Sequence, residues 1–341
     1  MLWFENLPGN LTPIKEYWKG RRVFITGGTG FLGSYIVELL VNNEAIVDVL
    51  DNGATGCDLN LSHVRNRIDI YEGSINDVGL VDKLVSNASI VFHLASHMEV
   101  RKAVESPAID FSTNVVGSHN IFDAVRRFSN VKRFIYASSC AVYGDSQKKR
   151  IPVPNNPYGA AKRAMEMYGM VYKDIFDIPF CAIRLFSLVG PRMRQTVIFD
   201  LLQRLSQNPY ELKILGDGEV IRDFNDVRIA AAAFIKVAES NCTYPIMDLS
   251  GSCVKSINDV AKEIISILGL DGITELQYTG ETWNGDMKSL IADNFKIQLT
   301  TGKIPKYDIR QGLEEYIDWV DATFKFMLRG QSNVLRRRSR N

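Results

Sequence analysis

The sequence predicts an α/β protein built on a doubly wound parallel sheet, followed by a smaller lobe. Three observations carry that expectation. Short apolar runs alternate with amphipathic stretches from Arg22 to about Phe186, the pattern of strand–helix–strand units with helices on both sheet faces. The first run, residues 23–25, passes directly into Gly27, Gly30 and Gly33. After Gly190-Pro191 the alternation loosens, and too few strands remain for a second large sheet.

Taken in order, residues 1–20 carry acids and a proline where a secretory leader needs a continuous apolar run. They read as an extension whose Trp3, Phe4, Tyr17 and Trp18 pack outside the core. Strand 23–25 then meets the glycines, which turn the chain sharply and leave bare N–H groups at the start of a helix over 34–41. A pyrophosphate can sit there. The next strand, 45–50, ends in Asp51, 24 residues after Gly27. A carboxylate at that place accepts both hydroxyls of an adenosine ribose and repels a 2′-phosphate, so the expectation is a Rossmann domain binding NAD. Further strands are expected at 68–71, 90–94, 133–137 and 179–185, and long helices at 109–128 and 158–176. The second part reads as a helix at 196–206, a strand at 212–215, a Gly216-Asp217-Gly218 turn and a polar stretch Arg222-Asp223-Phe224. Helices at 229–239 and 257–268, a strand at 275–278 and a last helix at 309–328 follow.

The expected organisation is an extension (1–20), a dinucleotide-binding domain (21–190, with 225–250 returning to it), a C-terminal substrate-binding lobe (191–224 and 251–330) and a solvated basic tail (331–341). At 341 residues, with 46% hydrophobic and 23% charged residues, the chain can bury a large core. A net charge of +1 gives no reason to expect a nucleic-acid partner, and no apolar run approaches a membrane span. Five cysteines without a close pair suggest neither a zinc site nor disulfides, hence reduced thiols in a cytoplasmic protein with no metal.

The chemistry gathers at the end of the strand at 133–137, in Ser138-Ser139-Cys140-Ala141-Val142-Tyr143-Gly144. Nineteen residues beyond Ser139 stands Tyr158, and Lys162 follows it by four, on the same face of a helix. A phenol with an ordinary pKa near 10 is a poor base at neutral pH. Lowering it by two or three units takes about 3–4 kcal/mol of differential stabilisation. A lysine ammonium and a positive nicotinamide ring are the groups that could supply it. His93, at the end of a buried strand, reads as a core histidine. His97 and Glu99, on the loop beyond it, face the mouth of the expected pocket.

These motifs resemble the extended short-chain dehydrogenase/reductases that act on nucleotide sugars, the epimerase/dehydratase group. The resemblance runs from about Arg22 to Leu328. It rests on GGTGFLG, Asp51-Asn52, His93-Leu94-Ala95, the Asn114 to Gly117 turn, SSCAVYGD, NPYGAAK, Arg184-Leu185-Phe186 with Gly190-Pro191, the GDG turn and Arg222-Asp223-Phe224. It implies Tyr158 as catalytic base, Lys162 as its activator and a nicotinamide-ribose ligand, and Ser139 as donor to the reacting hydroxyl. The cofactor site would extend to Phe31, Leu32, Asn52, Ser74, Ile75, Leu94, Ala95 and Asn114. The nucleotide sugar would meet His97, Ser139, Ser187, Arg222 and Asp286, with Val197, Ile198 and Phe199 near its base. Helices 109–128 and 158–176 would pair in a homodimer.

The reaction implied is oxidation at C4 of the sugar, and the fate of the 4-keto sugar decides the enzyme. A 4,6-dehydratase of this group carries an Asp-Glu pair after the serine, and a decarboxylase a Glu at the second position. This chain has Cys140 and Ala141. An NAD-dependent 4-epimerase is therefore favoured, with Cys140 a small packing residue. The alternative is a dehydratase, C3/C5-epimerase or reductase using Cys140 as acid or base, and a third reading is a non-catalytic NAD-binding regulator. Other departures fall on the nucleotide side. Ser187 stands for an Asn, Trp283 for an Arg, Ser74 for an Asp and Ile229 for an Asp, with Arg192, Arg194 or Lys288 as candidate replacements for the missing phosphate ligands.

Overall fold

A computed structural model describes residues 3–145, 151–241 and 244–329. Cys242 and the basic tail at 331–341 lie outside the described residues. In chain order the first strands are β1 (Arg22–Thr26), β2 (Ile46–Asp51), β3 (Asp69–Glu72), β4 (Ile90–His93), β5 (Arg133–Ser139) and β6 (Phe180–Leu185). The later ones are β7 (Ser187–Val189), β8 (Glu211–Ile214), β9 (Ile221–Asp226), β10 (Ile246–Leu249), β11 (Cys253–Ser256), β12 (Glu275–Tyr278) and β13 (Ser289–Leu290). Seven of them form one parallel sheet in the order β3-β2-β1-β4-β5-β6-β10. Strand order reverses between β1 and β4, so the loops after these two strands diverge and open a crevice, the place where such sheets bind ligands.

One face of the sheet is covered by the helices Phe31–Asn42 and Val227–Glu239, which pack on each other in a core that also takes in Trp18. The opposite face carries Val78–Val85, Ser118–Phe128 and Pro157–Phe176 around Phe122, Phe134 and Phe180. A separate apolar core joins the helices Val197–Gln207, Ile257–Ile267 and Ile309–Phe324. Among the described residues no helix is long and apolar enough to cross a membrane.

Several expected elements differ. The helix expected from residue 109 starts at Pro107, a residue suited to a first helical turn, and widens into a π-helical stretch at Ser112–Gly117. The polar stretch at Arg222, expected without a regular element, lies in strand β9, hydrogen-bonded to β7, β11 and β13. Its charge misleads because Asp223 is buried there, accepting from Cys253 N and Ala292 N at 2.9 and 3.2 Å. Trp18 does not pack outside the core but is fully buried, its indole N–H donating to Glu239 at 2.5 Å.

Candidate active site

The glycine turn leaves room for backbone alone. Gly27 has φ +72°, and a Cβ on it would lie 2.8 Å from Ala95 N. A Cβ on Gly33 would lie 2.1 Å from the Gly27 carbonyl oxygen, closer than any side chain allows. No side chain caps the helix that begins at Phe31, after Gly30. Beside this turn the Asp51 carboxylate accepts from Thr29 N and Gly53 N, both at 3.0 Å, which aims it across the start of the helix. Leu94 N and Ala95 N donate to Thr26 Oγ1 at 3.2 and 3.1 Å, tying the end of β4 to the end of β1. Phe31 packs edge-on against Tyr35, and Leu32 is buried. Asn52 and Ser74 each accept from a backbone N–H two residues on, and Ile75 is buried against Gly117. The bare turn, the uncapped helix and the aimed carboxylate fit a dinucleotide.

His93 is wholly buried between Thr26 and Ser118, at 2.7 and 2.9 Å, and burial pushes its pKa down to about 3. It is a neutral core residue. Asn114, from the π-helical turn, is also buried. It accepts from Ser96 Oγ and His97 N at 2.9 and 2.8 Å and donates to the His97 carbonyl and to Asp110 at 2.9 and 2.7 Å. Its visible work is to hold the loop after β4. His97 Nδ1 lies 3.7 Å from Asp110.

Ser139 ends β5, its hydroxyl accepting from Ala141 N at 3.1 Å and capping the turn Cys140–Tyr143. Tyr158 and Lys162 lie in the first turns of Pro157–Phe176, which starts where Asn156 accepts from Gly159 N at 2.8 Å. Burial pushes the Tyr158 phenol up to about 12, while hydrogen bonds with Ser139 and Ser96 pull it the other way. Ser96 was not legible as a site residue, because no spacing relates it to Tyr158. Lys162 is buried, donates to the Ala137 carbonyl at 2.8 Å and sits 5.8 Å from the Tyr158 ring centroid. Burial pushes its pKa down to about 7, against the pull of Asp110 and Glu166. The expected lowering of the phenol is thus absent from the protein alone, because desolvation outweighs the hydrogen bonds with Ser139 and Ser96. Cys140 lies with Ala141, Phe186, Met287 and Leu290 in a small apolar cluster, and burial pushes its thiol up to about 11.

Beneath these groups runs a buried polar network with no sequence signature. Glu166, one turn beyond Lys162, accepts from Ser138 Oγ at 2.6 Å and from the Arg184 guanidinium through two bonds of 2.7 Å. Arg184 also donates to Tyr143 Oη at 2.7 Å, and Tyr143 donates to Asp248 at 2.9 Å. The network fixes β5, the Ser139 turn and the Tyr158 helix to one another.

On the other side of the crevice, Arg222 donates to the Met287 carbonyl at 2.7 Å and pairs with Asp286 at 3.3 Å. Ser187 is half-buried on β7. In the helix Val197–Gln207, Val197 is exposed, Ile198 faces the lobe core, and Phe199 packs on Phe324 and Phe326. Arg192 is tied to Glu38 at 2.5 Å and to Ser34 at 3.1 Å, Arg194 lies over Trp319, and Lys288 is exposed. No group of three or more metal-ligating side chains occurs among the described residues.

A glycine turn at the sheet's switch point, with serine, tyrosine and lysine converging beyond β5, defines an extended short-chain dehydrogenase/reductase. The chain belongs to the NAD dependent epimerase/dehydratase family, whose sequence model matches residues 23–246, and its cofactor is NAD. It is 28% identical over 320 residues to UDP-glucose 4-epimerase of Lactobacillus helveticus, covering 84% of this chain and 93% of that one. It is 26% identical over 315 residues to UDP-N-acetyl-alpha-D-glucosaminuronate decarboxylase of Bacillus cytotoxicus, covering 88% and 97%. Its fold matches a crystal structure of UDP-glucose 4-epimerase with UDP-glucose from Thermotoga maritima, with a TM-score of 0.82, 29% identity, and 89% and 99% coverage.

Proposed function

We propose that this protein is an NAD-dependent nucleotide-sugar 4-epimerase. Two relatives named UDP-glucose 4-epimerase support UDP-linked hexoses as its substrates. The observation that carries the reading lies directly after Ser139. Neither Cys140 nor Ala141 is a carboxylate, and both pack with Phe186, Met287 and Leu290. Burial pushes the Cys140 thiol up to about 11, and the carboxylate that acts on it, Asp248, is held by Tyr143. Elimination of a hydroxyl or loss of carbon dioxide from a 4-keto sugar needs a group that moves a proton at carbon or oxygen. A direct inversion at C4 needs no proton carrier beyond Tyr158 at the C4 oxygen.

In this reading Gly27, Gly30 and Gly33 hold the pyrophosphate of the cofactor and Asp51 its ribose, with Phe31, Leu32, Asn52, Ser74, Ile75, Leu94, Ala95 and Asn114 completing the site. Bound NAD supplies a hydride acceptor that returns the hydride and brings a positive charge to the site. Ser139 donates to the C4 oxygen and orients it, while Tyr158 removes the hydroxyl proton at Oη and later gives it back. Lys162 holds the nicotinamide ribose and favours the phenolate. Arg222, His97, Asp286 and Ser187 bind the nucleotide sugar, the chain at residues 197–199 passes near its base, and inversion requires the ketone to turn over between the two transfers.

A homodimer belongs to this proposal. The helical stretches at 107–128 and 157–176 expose Ile109, Phe111, Val116, Met167, Tyr168, Val171 and Ile175, an apolar face of the kind a second copy covers.

Product NMR after incubation with UDP-glucose, UDP-galactose and their N-acetyl forms, in deuterated water without added NAD, tests the function. The C4 epimer with no deuterium on carbon is expected. Deuterium at C3, C5 or C6, or loss of C6, overturns the reading.

A further inference from the structure

Two guanidinium groups hold one short loop. On the inner side, Arg222 donates to the Met287 carbonyl at 2.7 Å and pairs with Asp286. At the start of the loop, the Arg101 guanidinium lies over the Trp283 ring, 5.7 Å from its centroid. The same loop is docked on the start of the Tyr158 helix, where Asn156 and Asn155 donate to the carbonyls of Gly285 and Asp286 at 3.1 and 3.0 Å. The contact of Arg101 with Trp283 therefore joins the loop that Arg222 holds to the helix Val100–Glu105 that follows His97.

The two cations differ in what they have left to offer. Arg222 gives three of its bonds to Ile221, Met287 and Asp286. Lys102, beside Arg101, pairs with Glu99 at 2.7 Å. Among the described residues Arg101 has no carboxylate partner, and its side chain is exposed. A guanidinium attracted to an aromatic ring spends none of its hydrogen-bond donors on it, and its forked N–H groups match the paired oxygens of a phosphate or carboxylate.

We infer that Arg101, oriented by Trp283, recognises anionic oxygens of the substrate at the mouth of the site. This rests on the nucleotide-sugar reading and extends it. Trp283 acts as a positioning residue, and Arg101 as the ligand. The anion is either the diphosphate or a carboxylate on the sugar, and the two are separable by experiment.

Equilibrium titration of the NAD-loaded protein with UDP, UDP-glucose and UDP-glucuronic acid tests the inference, comparing wild type with Arg101→Gln. Loss of a charge-assisted contact should raise Kd by about tenfold to a hundredfold. A loss shared by all three ligands assigns Arg101 to the diphosphate, and a loss confined to UDP-glucuronic acid assigns it to a sugar carboxylate. Trp283→Leu should weaken the same ligands by about two- to fivefold, with Trp283→Phe restoring most of it, since a phenyl ring keeps the stacking face. Equal affinity of wild type and Arg101→Gln for all three overturns the inference while leaving the function intact. Failure of the wild type to bind any of them overturns the nucleotide-sugar reading and the inference with it. Retention of NAD by each variant verifies that the fold is unharmed.

Discussion

Replacing Lys162 by methionine should make the protein more stable and less active, and the balance should depend on pH in a defined way. Burial holds the Lys162 ammonium near a pKa of 7, against an ordinary 10.5. At about pH 7 the lysine is fully protonated in the unfolded chain and half protonated in the native one. That difference destabilises the fold by about 4 kcal/mol. The bond to the Ala137 carbonyl, 2.8 Å long, returns about 1 kcal/mol. Methionine keeps the length of the side chain without its charge, so Lys162→Met should gain about 3 kcal/mol at pH 7, as replacing buried charges by apolar groups often does. Because the native pKa lies below the unfolded one, the unfolded chain binds more protons between pH 7 and 10.5. Wild-type stability therefore rises with pH through that window, and the advantage of the variant should shrink to about zero near pH 10. Below pH 7 the penalty is complete and the gap constant. Urea unfolding of cofactor-free wild type and variant across this range reads the effect directly. A gap that does not change with pH, or a variant less stable than wild type at pH 7, would refute the assignment of Lys162 as a strained buried ammonium. Loss of turnover alongside the gain in stability would make this one of the sites where function is kept at the expense of the fold.

Three further outcomes are expected. Tyr158→Phe should keep its fold and its NAD yet lose turnover by at least about a hundredfold, since only the base is removed; a near-normal rate in a steady-state assay would place the chemistry elsewhere. Cys140→Ala should change turnover by less than about threefold, as a small packing change does. Stalling after the first oxidation, seen as accumulating reduced cofactor absorbance, would instead make the thiol an acid or base. Ile175→Glu, on the exposed face of the Pro157–Phe176 helix, should convert a dimer to a monomer in analytical ultracentrifugation, and a wild type that sediments as a monomer would refute the homodimer.

Much of this protein was determined by sequence alone, where the chemistry is local. The strand, tight turn and helix start from Val23 to Gly33 are legible because they are neighbours in the chain and glycine is the residue that leaves the backbone bare. Asp51 at a strand end, and Tyr158 and Lys162 on one helical face, are legible for the same reason. Strand β9 was not, since its pairing with β7, β11 and β13 spans sequence separations that no period encodes. Only the tertiary structure decided how the site is electrically tuned. Desolvation depends on what packs around a group, so it is burial that raises Tyr158 and Cys140 and lowers Lys162. The tertiary structure likewise brought Ser96 to Tyr158, Glu166 to Arg184, and Arg101 to Trp283. Those partners stand 62, 18 and 182 residues apart in the chain. Charge and hydrogen bonding act through space over a few ångströms, and the sequence names the groups without giving those distances.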